Sequence, residues 1–426
     1  MCKKYFLSFM NKYLVIVLMM LGFTVSAQDL KLVRKHIDTL ASPSMKGRGY
    51  IGNGERLAAE YIQSYFNQYH LQNINGTYFQ SFSLDINTFP GEVSIKNGKR
   101  KLECGADFIL SPDAPTVKGK FKLKYLDTLI FKDVAAQKWF LNEDLRKTAL
   151  AIEPRHKAKF KTLNKQFSDK LNEAPVMVML QPKKLTASLA SEQSQQLIID
   201  VMRDSIDLTA RNLKLKIETE LVQNYKTQNV VGFIKGTIKP DSFIVVCAHY
   251  DHLGMMGKEV YFPGANDNAS GIAMLLSLAK YYSENPPRHS VMFIAFGAEE
   301  AGLIGSEYYV NHPLVPLSQI KFVMNLDLAG TGDDGATVVN GAILNREFEL
   351  LQKINEEGNY LKTINKRGKA ANSDHYHFTE KGVKSFFLYT LGGITAYHDI
   401  YDQPSTLPLT KFSELYQLMV KFIDLL

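Results

Sequence analysis

The stretch "SVMFIAFGAEE", Ser290–Glu300, decides how this chain folds. Val291–Phe296 is an apolar run with no polar residue alternating through it, so protein must cover both of its faces. Gly297 closes the run after a length that suits a strand better than a helix. The same texture returns in "FIVVCAHY" (Phe243–Tyr250), "KFVMNLDL" (Lys321–Leu328) and "KSFFLYT" (Lys384–Thr390). Between the first two runs, "SGIAMLLSLAKYY" carries Ile272, Leu275, Leu276, Ala279 and Tyr282 on one helical stripe. The tail "FSELYQLMVKFIDLL" does the same through Phe412, Leu415, Tyr416, Met419, Phe422 and Ile423. Buried strands alternating with helices predict an α/β domain, a mostly parallel mixed sheet sandwiched by helices, over residues 226–426.

Upstream, "DLKLVRKHIDTL" and "NGERLAAEYIQSYFNQYHL" read as helices. In the second, Asn53 is the candidate N-cap, and Leu57, Tyr61, Ile62, Tyr65 and Phe66 form the core stripe. Residues 28–94 are assigned to the same domain as 226–426. Between them, "KFKLKYL" and "LKLKIETE" alternate apolar with charged residues, as half-wet strands do. "APVMVMLQP" is a short buried strand, and the lysine-rich "RHKAKFKTLNKQFSDK" reads as a solvated face. Residues 95–225 are therefore expected to be an inserted β-rich subdomain.

The first residues bear on compartment. "MCKKYFLSFMNK" is basic, "YLVIVLMMLGF" is apolar but short for a membrane span, and Val25 and Ala27 are small residues placed as a signal peptidase requires. Cleavage is expected after Ala27, giving an exported protein, periplasmic or secreted, with no stable membrane insertion. Lys3, Lys4 and Lys12 leave with the leader, so the net charge falls from +7 to +4 (7 − 3), too mild to argue for nucleic acid, and no basic stripe is present. Cys104 and Cys247 remain, too few for a disulfide scaffold.

Chemistry-bearing residues cluster where the apolar runs stop. His249 and Asp251 follow one strand, Asp267 precedes a helix, Glu299 and Glu300 follow a second strand, Asp327 ends a third, and His398 lies past the last. In an open α/β sheet, ligands bind at the carboxyl ends of the strands, so these segments converge on one crevice. Histidines with carboxylates suit Zn²⁺. Five ligands exceed what one catalytic zinc takes and suit two zinc ions per chain sharing a carboxylate. No Gly-x-Ser-x-Gly elbow supports a serine mechanism. Glu299 and Glu300, neighbours of like charge, can serve one site only if the strand ends there, and Gly297 is the residue expected to let the backbone turn.

At these residues the chain resembles the co-catalytic dizinc aminopeptidases of the bacterial leucyl aminopeptidase type. That family also includes glutamate carboxypeptidase II and the transferrin-receptor ectodomain. The resemblance runs from Asn229 to the C-terminus and through "LASPSMKGRGYIGNGERLAAEYI". It implies a zinc exopeptidase fold acting on peptide N-termini. It implies His249 and Asp327 on one zinc, Glu300 and His398 on the other, Asp267 bridging, Glu299 as general base and Asp251 orienting His249. It also implies a cis peptide after Asp267 and places Asp374 and His375 of "NSDHYHF" near the substrate pocket. "NLDLAG" and "LYTLGGITAYH" depart from the family pattern, which bears on side-chain preference. The alternatives are a glutaminyl cyclase or carboxypeptidase on the same scaffold, or a binding module with a retired site. A retired site should have lost ligands, and all five are present with the base.

Overall fold

The computed structural model describes residues 29–426 except Lys161, so the expected leader lies outside the described residues. Two helices open the chain, α1 (Leu30–Leu40) and α2 (Gly54–Gln68). Asp29 caps α1 by accepting the N–H groups of Lys31 and Leu32. Asn53 stands at the N-cap of α2 in a left-handed conformation but makes no capping bond. Of the α2 stripe, Ile62, Tyr65 and Phe66 are buried, whereas Leu57 faces solvent.

The central sheet has eight strands, built around four parallel ones. These are β11 (Lys239–His249), β14 (His289–Phe296), β15 (Ile320–Asp327) and β18 (Ser385–Leu391). Their sheet order is β14-β11-β15-β18. Both faces are covered, as the continuous apolar runs require. Ile244, Val246 and Ala248 of β11 point into a core shared with α1, α2, α6 (Gly271–Glu284), α8 (Asn345–Gly358) and α10 (Phe412–Leu425). Their neighbours Val245 and Cys247 point the other way, toward α7 (Ile304–Asn311) and α9 (His375–Glu380). The period of two along one strand thus feeds two cores. Antiparallel β16 (Gly335–Val339), with β17 (Ile364–Lys366), extends one edge. The other edge is β10 (Glu220–Ile234) and β1 (Phe79–Thr88), a long antiparallel ribbon.

The insert grows from the far end of that ribbon. Its own eight-stranded sheet takes the strands that follow in the chain, from β2 (Val93–Asn97) through β9 (Asn212–Ile217), with β2 and β9 paired side by side. Residues 220–225, read with the insert, belong to β10, because a half-wet strand shows the same alternation in either sheet. The insert is also more helical than its β-rich reading. β5 (Val117–Tyr125), β6 (Thr148–Ile152), β7 (Val176–Gln181) and β8 (Leu197–Met202) are parallel neighbours, and such pairs need crossovers. Helices α3 (Val134–Asn142), α4 (Pro154–Phe160) and α5 (Lys165–Asn172) lie in those connections. The lysine-rich stretch forms α4 and α5, with Phe160, Phe167 and Leu171 buried beneath its charged face. The opposite face of the insert sheet packs on Leu253, Met256 and Phe262, which follow β11. No helix among the described residues is long and apolar enough to cross a membrane.

Candidate metal centre

The carboxyl ends of the four parallel strands bring the sequence-predicted ligands together. His249 is the last residue of β11, Asp327 the last of β15, and Glu299 and Glu300 follow β14. Asp267 lies in the irregular turn before α6, and the Asp267–Asn268 peptide is cis, as the resemblance implied. His398 sits in the loop after β18 with φ +54°.

Asp267 lies between the two histidines. Its Oδ1 is 3.3 Å from His249 Nε2 and its Oδ2 is 3.1 Å from His398 Nε2. Asp327 Oδ2 lies 3.4 Å from His249 Nε2, and Glu300 Oε2 lies 3.1 Å from His398 Nε2. Donors at neighbouring corners of a tetrahedron around zinc, each 2.0–2.1 Å from the ion, stand about 3.3 Å apart. The donor set and its spacing therefore fit two ions with Asp267 between them. His249, Asp267 and Asp327 form one potential metal-holding group, and His252, Asp267 and Glu300 form another.

Ionisation in the cluster reflects a demand for positive charge. Burial pulls both histidines down, but the carboxylates overcome it. Glu299 and Asp327 hold His249 well above its usual value, and Asp267 and Glu300 raise His398 to about 11. Against burial, His249 and His398 hold Asp267 well below the carboxylate range. Burial and Asp267 would raise Glu300, but His252 and His398 bring it to about 2. Glu299 goes the other way. Burial pushes it well up, eased by His249 and reinforced by Asp374, and its Oε2 is 4.0 Å from His249 Nε2.

Orientation of the histidines is set by carbonyls, which can only accept. Nδ1–H of His249 meets the backbone oxygen of Asp251 at 3.2 Å, and Nδ1–H of His398 meets that of Ala187 at 2.9 Å. In both rings Nε2 is left to face the metal site. The Asp251 carboxylate, expected on His249, is 3.9 Å from its Nδ1. It instead accepts the N–H groups of Glu299 (3.0 Å) and Glu300 (3.3 Å), fixing the turn that displays the two glutamates. That turn pivots at Ala298, with φ +58°, and not at Gly297. Gly297 is needed for space, because a Cβ there would lie 2.7 Å from Gln228 O.

Three further residues shape the site without having been singled out in the sequence. Nδ1–H of His252 donates to Glu300 Oε1 at 2.7 Å. Asp402 accepts the N–H groups of Asn266 and Asp267. Arg48, fully buried, donates to five main-chain carbonyls, those of Leu40, Tyr250, Pro263, Gly264 and Asp267. Burial lowers its pKa to about 10 against the support of Asp267 and Asp402. Gly47 beside it has φ +63°, and a Cβ there would lie 2.4 Å from Gly254 O. Asp374 and His375 are both 0% exposed. His375 packs against Phe387, and burial takes its pKa down to about 4, whereas burial takes Asp374 up to about 7.

Residues 229–423, which carry all five candidate ligands, match peptidase family M28. Over these residues the chain is similar to the M28 peptidases. Aminopeptidase YwaD of Bacillus subtilis (strain 168) is 29% identical over 209 residues, covering 47% of this chain and 44% of that protein. A probable zinc metalloprotease of Pyricularia oryzae is 37% identical over 114 residues, 26% of this chain and 23% of its own length. The chain thus spans less than half the length of these curated relatives. The solved structure of BSAP, a zinc aminopeptidase from Bacillus subtilis, superposes with a TM-score of 0.69 at 20% identity, covering 92% of this chain and 93% of that one. An aminopeptidase from Aneurinibacillus sp. strain AM-1 gives 0.64 at 21% identity, with 94% of each chain covered. The fold shared with these two extends beyond residues 229–423 into the insert.

Proposed function

We propose that this protein is a zinc aminopeptidase that holds two zinc ions and removes residues from peptide N-termini. The observation that carries the reading is Asp267, whose two oxygens each meet the Nε2 of a different histidine. His249 and Asp327 complete one zinc site, and Glu300 and His398 complete the other. When bound, the metals supply Lewis-acid polarisation of the scissile carbonyl and a water acidified toward neutral pH. Glu299, partly buried and uncommitted to either site, takes the proton of the attacking water and passes it to the leaving amine. Asp251 holds Glu299 and Glu300 on one turn so that one carboxylate can serve the metal while the other moves a proton. Export rests on the basic-apolar-small pattern before Gln28, and N-terminal sequencing of the protein from the culture medium or periplasm tests it.

Substitution of the two glutamates tests the mechanism. Glu299→Gln should keep two zinc ions per chain and lose about 10²–10⁴-fold in kcat on aminoacyl substrates. Glu300→Gln should lose zinc. If Glu299→Gln loses zinc while Glu300→Gln retains it, the two roles are reversed. A parent protein fully active with one zinc would remove the dinuclear reading.

A further inference from the structure

The segment between β7 and β8 leaves the insert sheet and lies against the loop that carries His398. Four contacts join them. Nδ1–H of His398 donates to Ala187 O, and Ala187 N–H donates back to His398 O, both at 2.9 Å. Lys184 Nζ pairs with Asp399 Oδ2 at 3.0 Å and donates to Thr395 O at 3.0 Å. The segment is itself anchored, because Leu185 and Ala187 are buried in the core of the insert. His398 itself occupies a left-handed conformation that a β-carbon disfavours, so contacts at its own backbone and ring bear directly on where the imidazole points.

We propose that residues 184–187 of the insert position His398, so that the zinc affinity of the Glu300–His398 site belongs jointly to the insert and the α/β domain. A neutral imidazole has one N–H, and either nitrogen can carry it. Ala187 O, an acceptor only, selects the form with hydrogen on Nδ1 and leaves Nε2 directed at Asp267 and Glu300. It fills the place often taken by a carboxylate behind a zinc-bound histidine, where losing the partner weakens metal binding about 10–100-fold. The returning Ala187 N–H and the Lys184–Asp399 pair fix the loop on either side of the ring. The His249–Asp327 site is oriented within the α/β domain by Asp251 O and has no such dependence. The insert is on this view part of the metal centre. The inference rests on His398 being a zinc ligand.

Zinc titration into the chelator-stripped full-length chain, by competition with a chromophoric chelator, tests it. Ala187→Pro deletes the N–H given to His398 O, and Lys184→Met removes the ion pair from the surface without altering the backbone. In both variants one zinc should bind more weakly. For Ala187→Pro, which keeps the carbonyl but frees it to shift, the loss should be at most the about 10–100-fold that accompanies outright loss of such a partner, and for Lys184→Met it should be smaller. The other zinc should be unmoved, and Lys184→Arg should restore parental affinity. General destabilisation does not produce loss at one site of two. If Ala187→Pro does not fold, Lys184→Met and its arginine rescue decide alone. Unchanged affinity at both sites in the folded variants, in a parent that binds two zincs, overturns the positioning role only. A His398→Ala variant with full zinc content overturns the ligand assignment, and the positioning role with it.

Discussion

Replacing Arg48 with methionine should destabilise the protein by about 3–5 kcal/mol, the range seen when one partner of a buried polar network is removed. The side chain uses all five of its N–H donors, at 2.7–3.1 Å, on main-chain oxygens, and it is 0% exposed. Each buried carbonyl left without a donor costs about 1–3 kcal/mol. Summed naively, the loss would match the whole stability of a typical domain, about 5–15 kcal/mol. Two effects reduce it: the guanidinium no longer has to be desolvated, and water can enter the space. Lysine keeps the charge but offers three donors, so Arg48→Lys should cost about 2 kcal/mol, at about 1 kcal/mol for each bond lost. Urea denaturation of metal-stripped protein, read as a shift in midpoint at constant slope, measures both without interference from bound zinc. Because two of the carbonyls belong to Gly264 and Asp267, folded Arg48→Lys should also bind zinc less tightly. If Arg48→Met unfolds within about 0.5 kcal/mol of the parent, a scatter typical of neutral surface changes, the network does not hold the turn and the reasoning fails.

Asp251→Asn keeps one acceptor oxygen but puts an NH₂ where a second is needed, so it should loosen the Glu299–Glu300 turn. The expected result is a fall of about 10–100-fold in kcat with a smaller change in KM, in the range reported for outer partners of metal ligands, measured by steady-state kinetics. Far from the site, His36 of α1 is 1% exposed, and burial takes its pKa from 6.5 to about 4. A folded-state value below the unfolded one means stability that is full above pH 6.5 and lost as pH falls toward 4, about 3 kcal/mol in all. His36→Asn should flatten that part of the stability–pH curve, and an unchanged slope would show that His36 does not titrate on unfolding.

How much of this was legible in the sequence follows from what is local. The apolar runs at Phe243–Tyr250 and Ser290–Phe296 announce buried strands, because every side chain in them must find apolar cover whatever the rest of the chain does. The ligands were legible for a related reason: histidines and acids at the ends of such runs have nowhere to go but the crevice above the sheet. Their individual roles came through resemblance, and the structure adds the geometry, with Asp267 between His249 and His398.

Only the tertiary structure decided what holds those ligands in place. Ala187 O and Asp251 O are backbone atoms, which no residue type encodes. Arg48 reaches carbonyls 202 to 219 positions away, and Asp402 reaches back 135 to Asp267. Contacts over such separations leave no periodicity to read. The turn at Ala298, the burial of Asp374 and His375, and the passage of residues 220–225 from the insert into β10 are of the same kind. By itself the sequence determined which segments are buried and which chemistry they carry, because hydrophobic period and residue type are local properties. The folded chain decided which atoms orient that chemistry, because hydrogen bonds to the backbone depend on where distant segments meet.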